Sequence, residues 1–207
     1  MIDEFDNIMF VTKFNNDIQN IWIKYSKEVN GFHELGKHTL YGRISYNYYP
    51  WELILDSHTV RFPKDDNSRD FTRLRAPFAN ADAFTCEIYK SSFSSEIAKA
   101  FGMQDIRIGN ELFDSEYIVK SSSENRIRML LDDRYVQKKI MELDNIHLKV
   151  GSANRETFLT HPYEVDELYI EVGEILSNIN QLRFFTKFGI YLLNRLCNTD
   201  SICSKHI

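Results

Sequence analysis

The stretch Phe101-Gly-Met-Gln-Asp-Ile-Arg-Ile-Gly-Asn-Glu-Leu-Phe-Asp-Ser-Glu-Tyr-Ile-Val-Lys120 decides how the chain is read. It reads as a helix stop, a short strand, a turn and a second strand. Gly102 suits the left-handed position just past a helix, and Ile106 and Ile108 alternate with Asp105 and Arg107 as a half-buried strand does. Gly109-Asn110 interrupts the run, and Tyr117-Ile118-Val119 resumes it. Gly102 and Gly109 stand where a periodic segment stops abruptly, so both are expected at backbone angles that a Cβ would oppose.

Upstream, from His38 to Lys90, the pattern is that of strands. His38 to Tyr46, Glu52 to Ser57, Phe71 to Ala76 and Ala83 to Ser91 are rich in β-branched and aromatic residues. Pro50, the segment from Pro63 to Asp70 and the segment from Pro77 to Asp82 break them, and the short connections favour an antiparallel meander. Ser94 caps a brief helix through Ala100. Further back, Phe14, Ile18, Ile21, Trp22, Tyr25 and Val29 recur at steps of three and four, which makes an amphipathic helix ended by Asn30-Gly31.

Downstream, Ser121-Ser-Ser123 before Glu124 starts a helix whose buried side is Ile127, Leu130 and Leu131. Asp132-Asp133 caps the next, with Val136, Ile140 and Leu143 inward. Ile146 to Val150 and Leu168 to Val172 are strands, and Ser177 caps a last helix. That helix carries apolar residues at 179, 182, 185, 188, 192, 193 and 196, a wider arc than one wet-sided helix offers. It is expected to be covered by the chain's own core or by a second copy of the chain.

A chain of 207 residues can form one domain burying roughly 70% of the surface that its unfolded form exposes. Its 25 basic and 30 acidic residues give a formal charge of −5, which predicts no general attraction to nucleic acid or anionic lipid. Cys86, Cys197 and Cys203 form neither a disulfide framework nor a metal knuckle, so a reducing cytoplasm is the expected setting. The acidic start lacks the basic region of a signal peptide, and no apolar run approaches the roughly 20 residues that span a bilayer. The expected organisation is a helical segment at 1–35 packed on a single α+β domain at 36–197, with a mobile tail at 198–207.

Several of these residues also carry a resemblance. Trp51, Thr72-Arg73-Leu74-Arg75-Ala76-Pro77, Gly102-Met-Gln-Asp-Ile-Arg-Ile-Gly109, Phe113-Asp114 and Tyr117-Ile-Val-Lys120 resemble a widespread bacterial domain family of unknown function. The resemblance runs from about Gly36 to the end of the last helix and leaves out the first helix and the segment from Pro63 to Asp70. Members of that family stand downstream of membrane segments or as small separate proteins. The resemblance implies the domain and brings no activity with it.

Two carboxylates near a turn, Asp105 and Asp114, are the candidates for acid–base work or for holding a divalent ion. Against this, an Asp beside a turn commonly accepts backbone N–H groups, and Asp114 after Phe113 fits such a turn. Gln104 has the same ambiguity. Arg73 and Arg75, two apart on one strand face with Arg61, Lys64 and Arg69 nearby, could neutralise phosphates. A solvated face or ion pairs to strand neighbours is the plainer reading, and if the two face solvent their joint replacement by alanine leaves the fold intact. Trp51, with Tyr46, Tyr48 and Tyr49, could stack on a single strand of nucleic acid, which the net charge opposes. The six His show no metal-ligand spacing, Asp56-Ser-His58 being the nearest approach, and Cys86 reads as a small buried hydrophobe.

The expected fold is therefore α+β: an antiparallel sheet of roughly five to eight strands covered by helices, with long N-terminal and C-terminal helices packed against it. The function favoured is a non-enzymatic binding or scaffolding module for another protein, with no cofactor and no membrane insertion. The alternative is a hydrolase-like or metal-assisted enzyme using Asp105 and Asp114. Third is phosphate or nucleic-acid binding through Arg73 and Arg75.

Overall fold

The computed structural model describes residues 4–35, 39–62, 67–79, 83–93, 104–143, 145–152 and 165–198. Helix α1 (Glu4–Glu28) is followed by β1 (Phe32–Glu34), β2 (Arg43–Tyr48), β3 (Trp51–Phe62), β4 (Asn67–Ala79), β5 (Cys86–Lys90) and β6 (Gln104–Asp105). Then come α2 (Glu111–Glu116), β7 (Tyr117–Ser121), α3 (Glu124–Leu131), α4 (Arg134–Glu142), β8 (His147–Ser152), β9 (Val165–Val172) and α5 (Ile179–Asn198). The fold is α+β, with an antiparallel sheet and a helix near each end.

Among the described residues the sheet has nine strands in the order β1-β2-β3-β4-β9-β8-β5-β7-β6, every neighbouring pair antiparallel. The expected meander holds from β1 to β4 and then stops, because the β8–β9 pair lies between β4 and β5. Both interposed strands bring an aliphatic row, Leu148 and Val150 on one and Leu168, Ile170 and Val172 on the other, all buried. The two shortest strands, β1 and β6, are the sheet edges, where little open backbone is left to pair with another chain.

Register sorts the side chains into rows. Ile44, Leu55, Leu74, Ile170, Leu148, Ile88 and Val119 are directly opposite one another across seven strands, and all are buried. Strand residues alternate faces, so the rows on either side point the other way. Helix α5 lies on the apolar row: a Cβ added to Gly189 would fall 2.1 Å from Leu74 Cδ2 and 3.6 Å from Ile170 Cδ1. Only glycine lets the helix approach that closely.

The broad apolar arc of α5 is covered within the chain. Leu182, Phe185, Phe188, Leu192, Leu193 and Leu196 are buried, while Lys139 Nζ sits 4.6 Å over the Phe184 ring. Of the two covers expected for this helix, the chain's own core accounts for these residues. Helix α1 is part of the same core. Ile18, Trp22 and Tyr25 are its buried stripe, Trp22 Nε1 donates to Leu176 O at 3.0 Å, and Arg183 clamps Glu28 through two 2.7 Å hydrogen bonds. Asn30, at φ 52°, ends the helix in the left-handed conformation.

The expected starts of α3 and α4 hold and that of α5 is one residue off; Ser123 before α3 makes no side-chain cap bond. Buried Ile127, Leu130 and Leu131 in α3, and Val136 and Ile140 in α4, match expectation, and Asp133 Oδ1 accepts Tyr135 N–H at 2.9 Å. For α5 the cap is Asn178 rather than Ser177. Asn178 Oδ1 accepts from Asn180 N and Gln181 N, and Gln181 Oε1 accepts back from Asn178 N, which is a capping box displaced by one residue. Gly102, the helix from Ser94 to Ala100 and the tail after Asn198 lie outside the described residues.

Candidate functional site

The central turn is built by three polar side chains and one ring. Gly109 takes φ +88°, and Asp114 Oδ1 and Oδ2 accept from Ile108 N and Gly109 N, each at 2.9 Å. Asn110 caps α2 by accepting Phe113 N–H at 3.4 Å. Phe113 is fully buried, stacks on Tyr117 at 4.8 Å, and Tyr117 in turn donates its hydroxyl to Ile140 O. Where a plain turn was expected between Gly109 and Tyr117 there is a helix, Glu111–Glu116. Both oxygens of Asp114 are thus occupied by backbone N–H groups.

Asp105 is elsewhere. It sits on the edge strand β6, 75% exposed, with Lys120 Nζ at 4.0 Å. An exposed pair at that distance contributes little, and Asp105 is not brought to the Asp114 turn as one site. Cys86 is fully buried, and burial pushes its thiol up to about 12, which keeps it protonated.

Beside the turn lies an open groove of about 830 Å³, with one wall made by Ile108, Gly109, Asn110 and Leu112 and the other by Arg134, Gln137, Lys138 and Met141 of α4. Asn110 Nδ2 donates to Gln137 Oε1 at 2.6 Å and ties the walls together, while Gln137 Nε2 donates to Leu131 O at 2.5 Å. Leu112 is 58% exposed on the first wall. Glu111 and Asp132 bring acidic groups to the rim, and Arg134 and Lys138, four apart on one face of α4, bring basic ones.

The opposite face of the sheet is charged, which sequence reading saw only in fragments. One row runs Arg43, Asp56, Arg73, Glu171, His147, Tyr89, and the next runs Ile54, Arg75, Tyr169, Lys149, Glu87, Lys120. Asp56 accepts from Arg73, directly opposite, and from Arg75, on the diagonal, at 2.5 Å. Arg75 and Asp56 are each 1% exposed. Of the two plainer readings of these arginines, ion pairs to strand neighbours holds and a solvated face does not: a guanidinium whose carboxylate stands on the neighbouring strand can be buried with it.

His58 and Glu171 form the next pair, 3.2 Å apart, and Tyr169 donates to Glu171 at 2.5 Å. Burial alone would raise the Glu171 carboxyl, but the bonds from His58 and Tyr169 hold it below its ordinary value. Burial, helped by that carboxylate, pushes the Tyr169 phenol upward. His147 Nε2 lies 2.8 Å from Glu87 Oε1. Among the described residues no group of three or more His, Cys, Asp or Glu could hold a metal ion. Trp51 is 6% exposed and belongs to the core, so it lacks the open ring that stacking on a base requires.

Fold and site together define an α+β domain in which helices cover the apolar face of an antiparallel sheet and a network of paired charges fills the other. A scan against protein-family models gives no match, and neither does a search of the curated proteins. Among solved structures, the crystal structure of the mycobacterial trehalose monomycolate transport factor A, TtfA, matches with a TM-score of 0.48 and 8% sequence identity, over 88% of this chain and 93% of that one. So distant a likeness carries no statement about function. No helix among the described residues is long and apolar enough to cross a membrane.

Proposed function

We propose that the chain is a non-enzymatic binding module whose partner is another protein, received in the groove beside the central turn. The observation that carries this is the exposed Leu112, fixed on a rigid wall of that groove. Asp114 and Asn110 hold the wall by hydrogen bonds, and Phe113 anchors it in the core. A large apolar side chain held out on a preorganised wall suits it to be an interface anchor, since little ordering entropy is lost on binding. Met141 opposite, with acids and bases on the rim, suits a segment carrying an apolar side chain between charged ones.

The competing readings lose their residues to structural partners. Asp114 closes a turn and Asp105 stands apart on a sheet edge, so acid–base work lacks a convergent pair. Arg73 and Arg75 share the buried Asp56, and phosphate would have to displace that carboxylate.

Affinity capture from the native cell with wild type and Leu112→Asp, both first verified as folded, tests the reading. It expects a reproducible protein partner retained by wild type and lost from the variant. Equal recovery on both would reject the groove as its seat.

A further inference from the structure

A second cleft lies where the C-terminal end of α1, the end of β2 and the middle of α5 meet. Its volume is about 350 Å³, within the range of small-molecule sites. Buried Tyr25 and Tyr46 form its floor, the exposed Tyr48 ring with Val29 and Ile190 forms its walls, and Lys187 stands on the lining.

The hydroxyls in the cleft wall are already ordered. Thr186 Oγ1 donates to Leu182 O at 2.8 Å, so the 2.5 Å bond between Tyr25 Oη and Thr186 Oγ1 has Tyr25 as donor. Tyr46 hydrogen-bonds Tyr25 in turn, and burial, the leading cause, raises both phenols, which stay neutral. The charges reduce to one. Glu28 and Arg183 neutralise each other through their two-bond clamp, which leaves Lys187 as the surplus charge of the lining, although Glu28 also attracts it. The C-terminal carbonyls of α1 oppose Lys187 with only about half a unit of negative charge. A net positive charge remains at the mouth of an apolar, aromatic cleft.

We infer that this cleft binds a small organic monoanion, a carboxylate on a flat apolar body, with the body against the exposed Tyr48 ring, Val29 and Ile190 and the carboxylate on Lys187. The site is separate from the groove at the central turn, and its ligand is independent of any protein partner there.

The test uses three isosteric probes, phenylacetate, phenylacetamide and phenethylamine, titrated into the full chain and followed by amide chemical shifts. Phenylacetate is expected to shift the resonances of residues 46–48 and 186–190 saturably and to bind at least fivefold more tightly than the amide. Lys187→Gln should weaken phenylacetate at least fivefold and leave the amide unchanged, and Lys187→Glu should reverse the preference toward the amine. Lys187 is exposed, so neither variant threatens the fold. No saturable shift with phenylacetate, tightest binding by the amine to wild type, or equal phenylacetate affinity in Lys187→Gln would each overturn the inference.

Discussion

Arg75 donates to Asp56 across β3 and β4 at 2.5 Å, and neither side chain has more than 1% of its surface exposed. Arg73 bonds the other oxygen of the same carboxylate. Removing one partner of a buried pair leaves an uncompensated charge, which typically costs about 3–5 kcal/mol. Asp56→Ala, which takes the shared carboxylate from the buried Arg75, is therefore expected to lower stability by that order, and Arg75→Ala, which leaves Asp56 its bond to Arg73, by less. Urea unfolding measures both, and an Asp56→Ala midpoint equal to wild type would mean that the pair is not formed in solution.

The Glu171 carboxylate gives the fold a pH dependence. Its folded pKa lies below the ordinary 4.5, so its stabilisation is fully present above that value and is lost as pH falls through the depressed one. Glu171→Gln should flatten the acid limb of the stability profile while changing the neutral plateau by a different amount. An acid limb of unchanged slope would place the carboxylate in an unperturbed environment.

Gly109 and Asp114 separate a structural turn from a catalytic one. A Cβ on Gly109 meets nothing within 4 Å, so Gly109→Ala carries only the backbone cost of φ +88°, on the order of 1 kcal/mol. Asp114→Ala strips two backbone N–H groups of their acceptor and should cost about 1–3 kcal/mol. Thermal unfolding of both variants measures this. Stability unchanged in Asp114→Ala would return the carboxylate to the list of free groups.

Gly189 has the opposite problem. Its φ is ordinary, but a methyl group there collides with Leu74 Cδ2 at 2.1 Å. Gly189→Ala must push α5 or the Leu74 side chain aside, and overpacking of this kind costs about 1–3 kcal/mol. Combining it with Leu74→Ala should recover part of the loss, which a double-mutant cycle detects as coupling.

Much of this architecture is legible in the chain because its causes are local. Asp133 and the apolar positions of α3 and α4 lie within a turn or two of the helix ends they specify, and the alternation of Leu168, Ile170 and Val172 is its own evidence for a strand. Helix α2 is not legible: its six residues are too few for a periodic signal, and the Asp within them suggests a turn. The charged face is hidden for a different reason. Arg73, Arg75, Asp56 and His58 are each noticeable, yet their burial depends on register, which places Glu171 opposite Arg73 from almost a hundred residues away. A charged residue in a strand reads as exposed until its counter-ion is located. The period-two charges of β3, β4, β5, β8 and β9 are the signal that could have been added together.

The most direct measurement of the central claim is site-specific photo-crosslinking in the native cell, with a photoreactive phenylalanine analogue at position 112 and, as a control, at the exposed position 61 on β3. A protein seated in the groove predicts a discrete adduct of one mass from position 112 that is absent from position 61 and disappears when Lys138→Glu and Arg134→Glu alter the opposite wall. No adduct at 112, or the same adducts from both positions, would contradict the account.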